Sequence, residues 1–171
     1  MSKNSKYLNK ISIVIVCYNS SFKLKKFIRN IPNKTKIYII DNSKDYSLKS
    51  IFKSKRNIKI FFKKNEGYGS SINFAAKKIK TPYFLVVQPD VSGIRESSLI
   101  QFYKYAKKIQ DKFSVIGPHF LNASKKGHYQ TNPKYKIKEI HNVHGSTMFF
   151  NKKIFNKNKG FDKNIFLYWE E

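Results

Sequence analysis

Acidic residues at predicted strand ends are the side chains in this chain best suited to catalysis or to cation binding. The most informative is Asp90, which follows an apolar run over residues 84–87 that is typical of a strand buried on both faces. Pro89 cannot donate to a sheet ladder, so the strand must end near Gln88 and leave Asp90 just beyond its carboxyl end. A carboxylate at that edge of a sheet can bind a hard cation that carries phosphates. A simple turn is the alternative, because Pro and Asp both favour turns.

The other acids at predicted loop positions extend this pattern. The chain contains only 10 Asp and Glu against 35 Lys and Arg. Acids grouped at predicted loop positions are therefore more informative here than in an average protein. The set consists of Asp41, Asp90, Asp162, Glu170 and Glu171.

Strands and helices alternate along the chain in a way that must bring these acids together. Strands are predicted over residues 11–17, 36–40, 58–62, 84–87, 113–118 and 143–150, and helices over 22–30, 47–52, 70–80 and 96–110. Short connections between alternating elements indicate an α/β fold with a mostly parallel sheet covered on both faces. Residues 119–142 are polar and are predicted to form an excursion outside the core.

A glycine-containing turn lies between the third predicted strand and the helix over residues 70–80. Its sequence is NEGYG at residues 65–69. Glycine allows a positive φ and close approach of a ligand to the backbone, and the following helix start could hold a phosphate on its N–H groups. A tight strand-to-helix turn without ligand is the alternative.

Several site classes are excluded by residue counts and motifs. Cys17 is the only cysteine, so there is no intrachain disulfide and no metal–thiolate cluster, and a buried inert thiol is the default expectation for it. The four histidines lack a tight ligand spacing, and the chain contains neither a Gly-x-Ser-x-Gly elbow nor a Walker loop.

Length and composition favour one folded domain over residues 1–171, with a flexible amino terminus over residues 1–10. The hydrophobic content is 40%, the aromatic content 16%, and the formal net charge +25. Dispersed lysine reflects either compositional bias or attraction to polyanions, such as an anionic membrane leaflet or nucleic acid. No apolar stretch approaches the ~20 residues of a membrane span. A cytoplasmic protein, with a peripheral position at the inner face of the membrane, is expected.

Six motifs occur in a fixed order along the chain: ISIVIVCYN at residues 11–19, IIDNS at 39–43, NEGYGSSIN at 65–73, VVQPDV at 86–91, GSTM at 145–148 and GFDKNIFLYWEE at 160–171. This order resembles family 2 glycosyltransferases of the GT-A fold, especially the rhamnosyltransferase-like branch. The resemblance spans nearly the whole chain and implies a three-layer, Rossmann-like sandwich with a mostly parallel central sheet.

The resemblance implies roles for residues on the nucleotide side of the site. Cys17, Tyr18 and Asn19 would line the nucleotide pocket, and Asp41 would pair with the base. Three further residues would lie along the nucleotide and sugar, namely Asn65, Gly67 and Asn73. Gly145 would shape the donor and acceptor pocket.

The resemblance also implies a metal ligand and a general base. Asp90 is similar to the last acid of the family's Asp-x-Asp motif, which holds Mg²⁺ or Mn²⁺ against the diphosphate, while Gln88 replaces the first acid. Glu170 and Glu171 resemble the family's acidic pair, whose second member is typically Asp and acts as base; Glu171 is the preferred assignment. Transfer with inversion needs such a base on the acceptor hydroxyl and a cation on the departing diphosphate.

The implied function is transfer of a sugar from a nucleoside-diphosphate donor, UDP- or dTDP-linked, to a polysaccharide or lipid-linked acceptor. Because the matching motifs end at Glu171, we expect the acceptor-side part of the family's domain to be missing. A catalytically inactive nucleotide-binding remnant is one alternative. A polyanion-binding protein is a weaker one, because the aromatic residues fall mainly at core positions and no motif for specific nucleic-acid binding occurs.

Overall fold

The computed structural model describes residues 5–118, 139–140 and 143–166. Its strands are β1 (Ile11–Cys17), β2 (Lys36–Asp41), β3 (Ile58–Phe62), β4 (Tyr83–Val87), β5 (Val115–Ile116) and β6 (Thr147–Asn151). Its helices are α1 (Ser5–Leu8), α2 (Ser21–Ile28), α3 (Ser47–Ile51), α4 (Tyr68–Lys78), α5 (Glu96–Lys108) and α6 (Lys152–Lys157).

The described strands form a six-stranded sheet in the order β3-β2-β1-β4-β6-β5. The pairs β1–β2, β1–β4 and β2–β3 are parallel, whereas β6 runs antiparallel to both β4 and β5. The predicted α/β fold with a mostly parallel sheet is therefore confirmed. Because β1 lies between β2 and β4, the carboxyl ends of these three strands meet at one edge of the sheet.

Helices cover both faces of the sheet and give three layers. Alternating residues of β1 illustrate the division, since Ile13 and Ile15 pack with α2, α3 and α5 while Val14 and Val16 pack with α4 and α6. All seven residues of β1 and all five of β4 are buried. Continuous apolar strands are what a sheet covered on both faces requires, because every side chain then lies in a core.

Most element boundaries agree with the sequence-based expectation, and the differences have local causes. Helix α4 begins at Tyr68, two residues earlier than expected, because Gly67 caps it with φ +98°. Helix α1 lies within the segment expected to be flexible, and Leu8 is fully buried beneath the sheet. Burial of this apolar side chain against β1 removes its surface from water, which favours the ordered segment. The predicted excursion over residues 119–142 lies largely outside the described residues.

No helix in the described part of the chain is long and apolar enough to cross a membrane.

Candidate functional site

Two neighbouring strands end at a buried thiol and a buried carboxylate. Cys17 and Asp41 are register partners at the carboxyl ends of β1 and β2. The Cys17 thiol donates to Asp41 Oδ1 with an Sγ···O distance of 3.5 Å. The backbone continues the pairing, since Asn42 N donates to the Cys17 carbonyl at 2.9 Å.

The loop after β2 folds around the Asp41 carboxylate, which is 1% exposed. The Ser43 hydroxyl donates to Oδ1 and the Asp45 backbone N–H donates to Oδ2, both at 2.7 Å. Ser43 Oγ also accepts from the Asn19 backbone N–H at 3.0 Å. Asp41 therefore joins the ends of β1 and β2 to one ordered loop, and both of its oxygens bond to protein groups.

The same carboxylate determines the chemistry of Cys17. Burial raises the pKa of the Cys17 thiol far above its ordinary value, and the negative charge and hydrogen bond of Asp41 raise it further, with a smaller charge effect from Asp45. A thiol that stays protonated at neutral pH is a poor nucleophile. The structure therefore agrees with the expectation that Cys17 is a buried, unreactive thiol.

The two other residues expected to line the nucleotide pocket from β1 are open to solvent. Tyr18 is 59% exposed, and Asn19 is exposed with a left-handed backbone at φ +50°. A large exposed aromatic ring beside the sheet edge is available to stack on a planar ligand.

A polar network connects β2 with the turn that precedes α4. Asn42 Nδ2 donates to Ser71 Oγ at 2.9 Å and lies 3.4 Å from Asn65 Oδ1. The same Asn65 oxygen accepts from the Gly67 backbone N–H at 3.3 Å, and Ser71 Oγ lies 3.0 Å from the Gly67 carbonyl oxygen. Asn65 and Gly67 therefore lie beside the loop that follows Asp41.

Protein backbone, in this structure, makes the close approach to the glycine turn that was expected of a ligand. The Tyr68 N–H, the first of α4, donates to the Phe166 carbonyl at 3.1 Å. A Cβ at Gly67 would overlap that same carbonyl group. This N–H is therefore already bonded within the protein, whereas the sequence predicted that it could bind a phosphate.

Asn73 contacts the chain beyond α6. Its Nδ2 donates to the Phe161 carbonyl at 2.8 Å, and its Oδ1 accepts from the Phe161 backbone N–H at 2.9 Å. Both polar atoms of the side chain are thus bonded to one residue, a pairing that no sequence pattern predicted.

The amino end of β6 completes the sheet edge beside β4. Gln88 N donates to the Ser146 carbonyl at 3.0 Å, and Val87 pairs with Thr147. Gly145 is buried, and its carbonyl accepts from the Tyr68 hydroxyl at 3.0 Å. The segment expected to shape the donor and acceptor pocket therefore lies against both Gln88 and the start of α4.

Asp90 lies in solvent just beyond β4, as Pro89 predicts. Its nearest described cation is Lys23 of α2, with Nζ 3.8 Å from Oδ2, and the two side chains are 58% and 56% exposed. Lys23 was not expected at this position, because the sequence does not show which face of α2 lies beside β4. An ion pair this exposed contributes little to stability.

The described residues could hold a metal ion only together with a bound ligand that supplies further oxygen atoms. They contain no group of three or more His, Cys, Asp or Glu that could hold a metal. Mg²⁺ is commonly bound by one or two carboxylates together with substrate phosphates and water. The exposed carboxylate of Asp90, with the Gln88 amide oxygen two residues earlier, suits that incomplete type of site.

The structure thus joins most of the predicted residues into one rim at the carboxyl edge of the sheet. Three residues without a predicted role also belong to this rim, namely Asn42, Ser43 and Ser71. Asn42 and Ser43 lie in the motif at residues 39–43, and Ser71 lies in the motif at 65–73. Their place in these motifs was the sequence signal that could have identified them. Two predicted catalytic residues, Glu170 and Glu171, lie outside the described residues. Asp162 is exposed and caps only its own turn, where its Oδ1 accepts from Asn164 N at 2.9 Å.

Comparison with known proteins agrees with this fold. Residues 12–159 match the sequence profile described as Glycosyl transferase family 2. No curated protein sequence matches the chain.

Solved structures share the fold at low sequence identity. S. aureus TarS residues 1–349 superposes with a TM-score of 0.68 at 18% identity, over 90% of this chain and 50% of that one. The mannosyltransferase PcManGT from Pyrobaculum calidifontis, in complex with GDP-Man and Mn²⁺, gives 0.66 at 11% identity, over 91% and 48%. TarS 1–349 in complex with UDP gives 0.67 at 17% identity, over 92% and 51%. The fold is therefore that of GT-A glycosyltransferases, and the chain spans about half the length of these structures.

Proposed function

The chain belongs to glycosyl transferase family 2, and from this membership we propose that it is the donor-binding core of an inverting glycosyltransferase. Its substrate would be a nucleoside-diphosphate sugar, linked to UDP or dTDP. The observation that carries the proposal is the common sheet edge of Asp41 and Asp90, where the ends of β1, β2 and β4 meet the start of β6. Solved structures of similar fold were determined with UDP, with UDP-GlcNAc and with GDP-Man and Mn²⁺, which supports a nucleotide-sugar donor.

We assign the base end of the donor to the pocket beside Asp41. The exposed Tyr18 ring offers a stacking surface, and Asn19 and Cys17 lie next to it on the same strand end. Asp41 is 1% exposed beneath its own loop, so it would contact the base directly only if that loop moves aside. Its first contribution is to order the loop that forms the pocket floor, and Asn65 and Gly67 continue that floor toward the sugar.

Asp90 is proposed as the protein ligand of Mg²⁺ or Mn²⁺, with the Gln88 amide oxygen in support. A divalent cation there would neutralise charge on the departing diphosphate. Because one carboxylate makes a weak site, the donor phosphates must supply further ligands, so metal and nucleotide are expected to bind together.

The acid pair is proposed to supply the base, with Glu171 preferred over Glu170. The carboxylate takes the proton from the acceptor hydroxyl while the oxygen of that hydroxyl bonds to the anomeric carbon. The bond from that carbon to the diphosphate breaks on the opposite face, so the sugar inverts and the nucleoside diphosphate leaves.

A polysaccharide or lipid-linked molecule is proposed as acceptor, in keeping with the rhamnosyltransferase-like motifs. Further chain on the acceptor side would complete the enzyme. The net charge of +25 suits attachment to an anionic membrane surface at the cytoplasmic side. Sedimentation with vesicles of phosphatidylglycerol should retain the protein at low salt, and vesicles of phosphatidylcholine should not. Equal binding to both kinds of vesicle would contradict the proposed attachment to an anionic membrane surface.

Calorimetric titration with UDP and dTDP, with and without Mn²⁺, tests the proposed function. Binding of either nucleotide that strengthens with Mn²⁺ supports the donor pocket. Absence of binding at millimolar nucleotide would contradict it. Binding of donor without any sugar transfer or hydrolysis would favour the inactive remnant, and tighter binding of single-stranded nucleic acid than of nucleotide would favour the polyanion alternative.

A further inference from the structure

Helix α2 presents one large apolar ring and three cations to solvent. Phe22, Lys25, Lys26 and Arg29 are all exposed, and Phe22 is 83% exposed. Because an α-helix turns once in 3.6 residues, positions i, i+3, i+4 and i+7 lie on one side of it. The helix contains no acidic residue. These four side chains form one outward surface, hereafter the α2 face.

A second exposed ring lies at the same corner of the molecule. Tyr46, immediately before α3, is 61% exposed. The pKa of the preceding residue, Asp45, is lowered by hydrogen bonds from Ser47 and, to a smaller extent, by the side chain of Ser21 at the start of α2. Phe22 and Tyr46 therefore follow two residues that face each other, which places both rings beside the α2 face.

The α2 face differs from the other basic surfaces by its apolar ring. Among the described helices, α2 alone has an exposed large apolar side chain within its bounds. Helix α4, which packs on the opposite side of the sheet, exposes Lys77 and Lys78, and the exposed Lys80 follows it. Dispersed lysine is sufficient to explain those cations. It does not explain Phe22, whose ring would lose less free energy to water if it were covered by an apolar surface.

We propose that the α2 face, with Tyr46 beside it, docks on an anionic phospholipid bilayer. The cations would contact lipid phosphates, and the Phe22 ring would enter the boundary between headgroups and acyl chains. Basic residues and exposed rings on one helix surface are the combination that binds such an interface, by charge attraction and by burial of apolar area.

The shape of the surface favours a membrane over nucleic acid. Single-stranded nucleic acid is typically bound in a basic groove where several aromatic rings stack on successive bases. The α2 face is instead the outer side of a helix, and its cations surround one ring of the helix itself. A flat anionic surface can contact all of these groups at once.

Docking through α2 would bring the carboxyl edge of the sheet toward the membrane. Only residues 18–20 separate β1 from α2, and Lys23 of the same helix lies 3.8 Å from Asp90. An acceptor held in the bilayer could then reach this edge without leaving the membrane. The inference rests on the proposed function in this respect alone, because the docking itself needs no nucleotide.

Sedimentation of the full chain with phosphatidylglycerol vesicles compares two variants that lose the same charge. Each replaces three exposed cations by glutamine, a good helix former. The α2 variant is K25Q/K26Q/R29Q, and the α4 variant is K77Q/K78Q/K80Q.

The α2 variant should bind these vesicles about a hundredfold more weakly than the wild-type chain at 0.1 M salt, or about fivefold for each cation. The α4 variant should lose less than about threefold, because attraction falls off within about 10 Å and α4 lies across the sheet. Equal losses in the two variants would show that dispersed charge carries the binding, and would overturn the proposal.

Substitution of Phe22 tests the apolar contact. Phe22→Ser should weaken vesicle binding about tenfold, whereas Phe22→Leu, which keeps an apolar side chain, should retain most of the affinity. The dissociation constant of UDP should stay within about twofold in both. Unchanged vesicle binding with weaker UDP binding in Phe22→Ser would make the ring part of the nucleotide pocket and overturn the proposal.

Two further measurements separate this inference from the alternatives. Loss of binding to a single-stranded oligonucleotide in the α2 variant, with vesicle binding unchanged, would make the α2 face a nucleic-acid surface. A wild-type chain that does not bind phosphatidylglycerol vesicles would also overturn the proposal, whatever its affinity for UDP. Vesicle binding that depends on α2 in a chain that binds no nucleotide would support the docking and contradict the proposed function.

Discussion

Cys17 and Asp41 stand opposite each other at the ends of two parallel strands, with the thiol 3.5 Å from the carboxylate. This contact links the one cysteine of the chain to the carboxylate proposed to organise the nucleotide pocket. A buried negative charge beside a thiol disfavours the thiolate, and this gives the site a chemical probe.

Alkylation of Cys17 by iodoacetamide should be at least about tenfold slower in the folded chain than in the chain unfolded by guanidinium, because only the thiolate reacts. The raised pKa means that the rate in the folded chain keeps rising at a pH where the unfolded thiol is already fully reactive. Measurement of the rate from pH 7 to pH 10 checks both statements. Asp41→Asn should increase the folded rate at a given pH, since one of the causes of the raised pKa is removed. An equal rate in folded and unfolded chains would show that the thiol is accessible and ionisable.

Asp41→Ala should destabilise the fold by about 1–3 kcal/mol, because it leaves the Ser43 hydroxyl and the Asp45 N–H without their acceptor in a partly buried loop. Urea denaturation measures this change, and calorimetry with UDP should show weaker binding under conditions where the variant is folded. Asp162→Asn is the control, since that acid is exposed and bonds only within its own turn. Unchanged stability in Asp41→Ala would show that the loop does not depend on the carboxylate.

Asp90→Asn should remove the effect of Mn²⁺ on UDP binding while leaving metal-free binding within about twofold, because the substitution removes the carboxylate charge from a site that already needs the phosphates for its other ligands. Titration of UDP at several Mn²⁺ concentrations measures this. The wild-type chain without nucleotide should bind Mn²⁺ only weakly. Retention of the Mn²⁺ effect in Asp90→Asn would place the metal elsewhere.

Lys23→Ala should lower the Mn²⁺ concentration needed for half-maximal UDP binding, because the lysine ammonium competes for the Asp90 carboxylate. The change should not exceed about fivefold, since an exposed pair contributes at most about 1 kcal/mol. Lys25→Ala on the same helix is the matched control, as an exposed lysine. A higher Mn²⁺ requirement in Lys23→Ala would mean that the lysine assists donor binding.

Gly67→Ala should destabilise the fold more than Gly93→Ala does. Both glycines have a positive φ, +98° and +86°, but a Cβ meets nothing within 4 Å at Gly93 and overlaps the Phe166 carbonyl at Gly67. The Gly93 variant therefore measures backbone strain alone, about 1–2 kcal/mol. The difference between the two urea midpoints reports the contact with Phe166. Equal effects would mean that Phe166 moves away without cost.

The order of strands and helices followed from apolar runs and turn residues, since a strand buried on both faces is apolar at every position. Asp90 could be placed beyond β4 for a similarly local reason, as Pro89 ends the ladder. The burial of Leu8 and the short extent of β5 were not predictable, because both depend on what the rest of the chain packs against them.

Local sequence patterns specify the α/β class, the mostly parallel sheet and the acids at its carboxyl edge, because these depend on side-chain period and on Pro and Gly within a few residues. Three contacts depend instead on tertiary packing: Asp41 lies under its own loop, Lys23 faces Asp90 and Asn73 bonds Phe161. Each of those contacts joins residues on different elements or around a loop. Their geometry follows from the packing of helices on the sheet, which no local pattern specifies.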